Sequence, residues 1–330
     1  MMTRRRSFLL GASFAISVIL IVILIKVGNI DLHSTLEQLR NVNRASFAML
    51  IVLTALHIFL SNLKWRKIDA SLRRSSDSTP SETASFAFTS AGVALGQILP
   101  VQVSMSAART FGTYFYGSPL KRGTAGTLFE QSFDVLIVAF LAVASAITWL
   151  CHGSGVIWTS SAVVMAILAL LAVGPSIRII RRLISYTSRD KAPQNRLLQK
   201  LSDLHASGFL DIGLARQLML LSLARFVIQV LMAGQVVKAV GARIPLWQLA
   251  ATIPFVTMAF ALSITPGGLG VNEISYTVVL HLFGTPIAVG AQWALESRLL
   301  VAVSCFFVAG CAMAYFFIAR IITRRNPVET

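Results

Sequence analysis

Acidic residues are scarce in this chain of 330 residues: 13 Asp and Glu stand against 29 Lys and Arg, and all charged residues together make up only 13%. With 55% hydrophobic residues and a mean hydropathy of +0.74, that little charge cannot clothe a soluble domain, so the chain reads as an integral membrane protein. Cysteine is nearly absent. Cys151, Cys305 and Cys311 make no disulfide framework or metal cluster, since the last two share one apolar run. The five histidines, His33, His57, His152, His205 and His281, fall at no ligand spacing. The phosphate-binding pattern Gly-x-x-x-x-Gly-Lys-Ser/Thr is missing, as is any nucleophile, histidine and acid order of a hydrolase. No metal, no cofactor and no nucleic acid is therefore expected. The formal charge of +16 needs another explanation, because no nucleic-acid motif accompanies it.

The explanation lies in where the cations fall. Arg4, Arg5 and Arg6 precede an apolar run from Phe8 to Val27, about long enough to cross a bilayer and read as a retained first span. A second span runs from about Ala45 to Leu63, followed by a basic loop with Lys64, Arg66, Lys67, Arg73 and Arg74. Further spans are expected near Gly126–Leu150, from Gly155 to about Gly174, over Gln217–Val237 and over Ile287–Ile318. Between them, segment 176–216 carries eight cations interleaved with Leu and Ile, a pattern suited to amphipathic helices on an anionic inner leaflet. Segments placed inside hold 21 lysines and arginines, whereas those placed outside hold only Arg40, Arg44, Lys238 and Arg243. That asymmetry predicts both termini in the cytoplasm.

Two regions break the pattern. Ser263 to Tyr276 places Pro266, Gly267, Gly268, Gly270, Asn272 and Glu273 inside a very apolar stretch. Proline lacks an amide donor and glycine weakens a helix, so the backbone should break here and restart near Gly270. Irregular backbone at membrane depth survives only against protein or a watery cavity, and a carboxylate there marks a candidate functional site. The alternative is a surface loop that caps a helix, with Glu273 solvated near its N-terminus. Region 84–120 is interrupted similarly at Gly92, Gly96 and Pro100, and contains Arg109. Ile98-Leu99-Pro100 and Ile264-Thr265-Pro266 form matching centres, and paired interruptions in two halves point to inverted repeats around a midplane site.

The expected fold is an all-α polytopic membrane protein. It has about six full transmembrane helices plus two Pro/Gly-broken re-entrant segments in inverted arrangement, or alternatively eight or more full spans. A single membrane domain covers 1–330: a first half 1–150 with broken segment 84–120, the cytoplasmic basic loop 176–216, and a second half 217–330 with broken segment 248–285. Glu130 and Asp134, four residues apart, share one helical face. Arg225 and Arg298 lie inside later spans, and Glu296 sits close to Arg298.

Thr265-Pro-Gly-Gly-Leu-Gly-Val-Asn-Glu273 resembles the Pro-x-Gly-Gly-x-Gly-x-x-Glu signature of the lysylphosphatidylglycerol synthase transmembrane-region family, which includes the flippase part of multiple peptide resistance factors. Ile98-Leu99-Pro100 with Arg109, Glu130 with Asp134, and Arg298 are supporting resemblances that span most of the chain. Two features depart from the family. The glycine and acid that usually follow the first proline are missing from Val101–Ala108, and no soluble acyltransferase domain is expected after the last span. The resemblance implies movement of lipid headgroups between leaflets of a bacterial-type inner membrane. Its substrate-binding set would be Arg109, Glu130, Asp134, Arg225, Pro266, Gly267, Gly268, Gly270, Asn272, Glu273 and Arg298. The arginines could hold phosphate or carboxylate, while Glu130, Asp134, Glu273 and Glu296 could pair with them or with a cationic headgroup. The partner would be a membrane lipid with an anionic or aminoacylated headgroup, with a homodimer and a separate lipid-synthesis partner as further expectations. Two other classes stay open: a membrane-embedded lipid-modifying transferase using Glu273 or Asp134, and a non-catalytic subunit of a lipid or cell-envelope synthesis complex. The same charges could also serve only as internal salt bridges.

Overall fold

Where the chain is apolar and free of Pro and Gly it forms long helices, and where those residues cluster the helices split. The computed structural model describes residues 17–28, 30–72, 80–116, 120–189, 211–261 and 265–325. In order they form α1 (Ser17–Val27), α2 (Leu32–Arg40), α3 (Arg44–Ser71), α4 (Glu82–Leu95), α5 (Val101–Phe115) and α6 (Leu120–Leu150). There follow α7 (Gly155–Arg189), α8 (Ile212–Val240), α9 (Leu246–Ala261), a 3-10 turn at Pro266–Gly268, α10 (Val271–Leu282) and α11 (Ile287–Arg325). No strand occurs among the described residues.

The apolar parts of α3, α6, α7, α8 and α11 are each long enough to cross a membrane, and α1 is described only from Ser17. Their outward faces carry residues such as Val52, Leu171, Phe307 and Ile318, all exposed, as expected where hydrocarbon rather than water is the solvent. The expected all-α, polytopic class is what the chain adopts.

Several helices outrun the apolar windows that announce them. α3 continues two turns beyond Leu63, so Lys64, Arg66 and Lys67 are helical rather than part of a loop. α7 passes through Pro175 to Arg189, well beyond Gly174, and α8 begins at Ile212, where Asp211 accepts a hydrogen bond from the Leu214 amide at 2.8 Å. The remainder of the basic segment, 190–210, lies outside the described residues. So do residues 1–16, 262–264 and 326–330.

Both interrupted regions are hairpins of half-length helices. In the first, α4 and α5 cross closely: a Cβ on Gly92 would lie 3.1 Å from the Ala108 Cβ. Its base sits beside the C-terminal part of α11, where Phe88 meets Phe316 and the Arg320 guanidinium lies 4.4 Å from the Phe115 ring centre. In the second hairpin, Gln248 at the start of α9 donates to the Phe283 carbonyl at 2.7 Å and accepts from Thr285. That base lies by the α6–α7 turn, where a Cβ on Gly155 would touch Trp247. The two hairpins thus enter the bundle from opposite ends. Their tips meet where Gln97 faces Gly267.

Candidate functional site

The second tip is built by glycines. Gly267 has φ +57°, Gly268 φ +68° and Gly270 φ +81°, a region that costs other L-residues about 1–2 kcal/mol each. Gly267 also leaves room for the other tip, because a Cβ there would strike the Gln97 carbonyl oxygen. From this turn α10 restarts at Val271, as the sequence leads one to expect. Glu273, in its first turn, accepts the Gly270 amide proton at 2.6 Å, closing the helix start against its own carboxylate.

Arg298, from the first third of α11, joins the two tips. One nitrogen, Nη2, donates to the Gln97 carbonyl at 2.6 Å and to the Gly267 carbonyl at 2.7 Å. Its Nε lies 3.8 Å from Glu273 Oε1, an ion pair without a formed hydrogen bond.

A second ionic cluster faces this one. Glu130 and Asp134 do share one face of α6, and both meet Arg225 of α8, Asp134 in direct contact and Glu130 at 3.6 Å. Arg109 of α5 bonds Glu130 and donates to Ser61 Oγ at 2.9 Å and weakly to Thr89. Lys64 donates to Asp134 at 2.6 Å, to Ser222 at 2.8 Å and to the Glu130 carbonyl at 3.2 Å. Arg225 Nη2 lies 3.0 Å from His57 Nε2. Arginine has no acceptor, so the imidazole nitrogen accepts and His57 is neutral.

Between the clusters lies a cavity of about 530 Å³. Glu130, Asp134, Arg225, Asn272, Glu273 and Arg298 line it, and apolar side chains such as Val138, Met232, Val256 and Phe260 complete the wall. A model of the lysylphosphatidylglycerol synthase TM region matches residues 10–309. The chain belongs to this family. No curated protein and no solved structure gives a significant match. Membership and the apolar helices together make it a multi-pass membrane protein with a lipid-related role.

Of the residues singled out from the sequence, this family member brings six to the cavity surface. Pro266, Gly267, Gly268 and Gly270 form the tip behind it. Arg109 lies behind the wall, with no exposed side-chain surface and its donors spent on Glu130, Ser61 and Thr89. Glu296 is buried elsewhere: it is not part of the cavity, and Gln292 donates to it at 3.1 Å. No ion pair to Glu296 forms among the described residues. Glu296→Gln is therefore expected to leave the melting temperature of the detergent-solubilised protein unchanged or raised, because no cation is orphaned. A fall of several degrees would contradict this placement.

Lys64 is the residue that charge counting misplaces. Assigned to a cytoplasmic loop, it instead has no exposed side-chain surface and holds Asp134. The available signal was periodicity: His57, Ser61 and Lys64 stand at i, i+4 and i+7 and form a polar stripe on α3.

Proposed function

We propose that the protein moves a polar-headgroup lipid between the leaflets of a bacterial-type inner membrane, as a flippase or lipid transporter with both termini in the cytoplasm. One observation carries the reading: a single cavity joins charged and apolar walls beside the point where two opposed hairpin tips meet. A headgroup needs charge and hydrogen bonds, acyl chains need hydrocarbon, and this cavity offers both. Opposed half-helix hairpins support the re-entrant reading of both broken regions, and such elements around a central site suit alternating access. Without a nucleotide-binding loop in the sequence, the driving force would be a gradient, the membrane potential or a partner protein that synthesises the lipid.

The test is a leaflet assay in proteoliposomes, with fluorescent lipids that include an aminoacylated and an unmodified anionic species. Purified protein is expected to speed equilibration of at least one of them. Glu273→Gln should slow it about tenfold, the scale of one charged contact, while the protein stays folded, since a Gln carbonyl can still accept the Gly270 amide. Unchanged abundance together with unchanged lipid movement in Glu273→Gln would remove the central residue from the reading. No acceleration of any lipid by folded wild-type protein would overturn the reading itself.

A further inference from the structure

The charges around the cavity do not cancel. Among the described residues, four cations, Lys64, Arg109, Arg225 and Arg298, meet three carboxylates, Glu130, Asp134 and Glu273. Each carboxylate has a cation of its own: Asp134 has Lys64 at 2.6 Å, Glu130 has Arg109, and Glu273 has Arg298 at 3.8 Å. Lys64 and Arg109 are sealed behind the wall with 0% of either side chain exposed, so their charges are committed to those acids. Among the described residues, Arg225 is the one left over. It leans on Asp134 and Glu130, which are already matched, and on neutral His57. Its side chain lines the cavity with 17% exposed, and its Nε has no hydrogen-bond partner among the described residues.

A surplus cation inside a low-dielectric bundle is costly unless an anion joins it. A headgroup with one net negative charge would bring the cavity to neutrality. A zwitterionic headgroup would leave the surplus in place, and lysyl-phosphatidylglycerol, whose two ammonium groups outweigh its phosphate, would double it. We infer that the cavity selects a lipid whose phosphate headgroup carries net negative charge, held by Arg225, and rejects aminoacylated lipids. The inference rests on the cavity being the lipid site of the proposed transporter. It names which headgroup enters.

Binding can be read apart from transport. Purified protein in uncharged detergent would be titrated, with native mass spectrometry as readout, against short-chain phosphatidylglycerol, phosphatidylethanolamine and lysyl-phosphatidylglycerol, and against glycerol phosphate as a free anion. Phosphatidylglycerol is expected to bind about tenfold more tightly than either other lipid, the scale of one uncancelled charge contact. Arg225→Gln should abolish the preference and Arg225→Lys should restore most of it. The glutamine variant should fold, because Asp134 keeps Lys64 and Glu130 keeps Arg109; a melting curve checks this. Equal binding of the three lipids, tighter binding of the lysylated one, or an intact preference in folded Arg225→Gln would overturn the inference. Glycerol phosphate binding as tightly as phosphatidylglycerol would overturn its lipid part by assigning the site to a soluble anion. Charge-selective binding with no lipid movement would refute the transporter reading alone. Lipid movement without charge selection would refute this inference alone.

Discussion

Arg109→Ala is expected to abolish folded protein rather than to weaken a binding site. The guanidinium is fully buried, lies 5.5 Å from the Trp65 ring centre, and is the committed cation of Glu130, whose side chain is only 2% exposed. Removing it takes the direct donor from a carboxylate in the core and empties a packed site. Breaking one side of a buried pair typically costs about 3–5 kcal/mol, a large part of the about 5–15 kcal/mol that holds a domain together. Arg225 can balance the charge of Glu130, but at 3.6 Å it does not replace the direct hydrogen bond that Arg109 gives that carboxylate, nor the bond from Arg109 to Ser61. Gel filtration in detergent should show aggregate or no protein. Adding Glu130→Gln to the same chain should recover much of the loss, because the double variant leaves no buried carboxylate without its direct donor and restores the wild-type charge balance, and that coupling is the mark of a pair acting as a unit. If Arg109→Ala instead melted within a few degrees of wild type and only lost lipid binding, Arg109 would be a substrate group, as the family resemblance suggests.

Gly267→Ala is expected to stop lipid movement while leaving folded protein. The left-handed backbone costs alanine about 1–2 kcal/mol, too little to unfold the chain. The new methyl, however, would run into the Gln97 carbonyl and lie 2.7 Å from Arg298 Nη2. Backbone cannot yield as a flexible side chain can, so the tips must part and Arg298 must give up one of the two carbonyls it bridges. In the leaflet assay the half-time should lengthen about tenfold or more, the loss of roughly one such contact. Gly310→Ala serves as the control: nothing lies within 4 Å of a Cβ there, so it should be neutral or slightly stabilising. A Gly267→Ala protein that moved lipid at the wild-type rate would show that contact between the tips does not matter to transport.

Much of the architecture was readable along the chain. Long apolar runs announced the spanning helices, because hydrocarbon leaves a backbone little choice but to bond within its own helix. Pro266 and the glycines after it announced a break and a restart near Gly270, since proline removes a donor and glycine tolerates positive φ. Glu130 and Asp134 could be placed on one face from their spacing alone. Helix ends were less readable: α3 and α7 run on past their apolar windows because charged residues can continue a helix on the protein-facing side or beyond the bilayer.

What sequence by itself determined about this protein is its solvent, its helical class and the position of its interruptions, all of which follow from local composition and helical period. Only the tertiary structure decided which charge answers which. Lys64 reaches Asp134 across 70 positions of chain, and Arg225 reaches it across 91. Arg298 holds a carbonyl 201 positions away. Burial of a charge depends on what packs over it, and no local pattern carries that information. Hence Lys64 looked like a loop cation and proved to be core. Arg109 looked like a ligand for substrate and lies behind the wall, and Arg225 stands out as the surplus charge only once the other three cations have been matched in space.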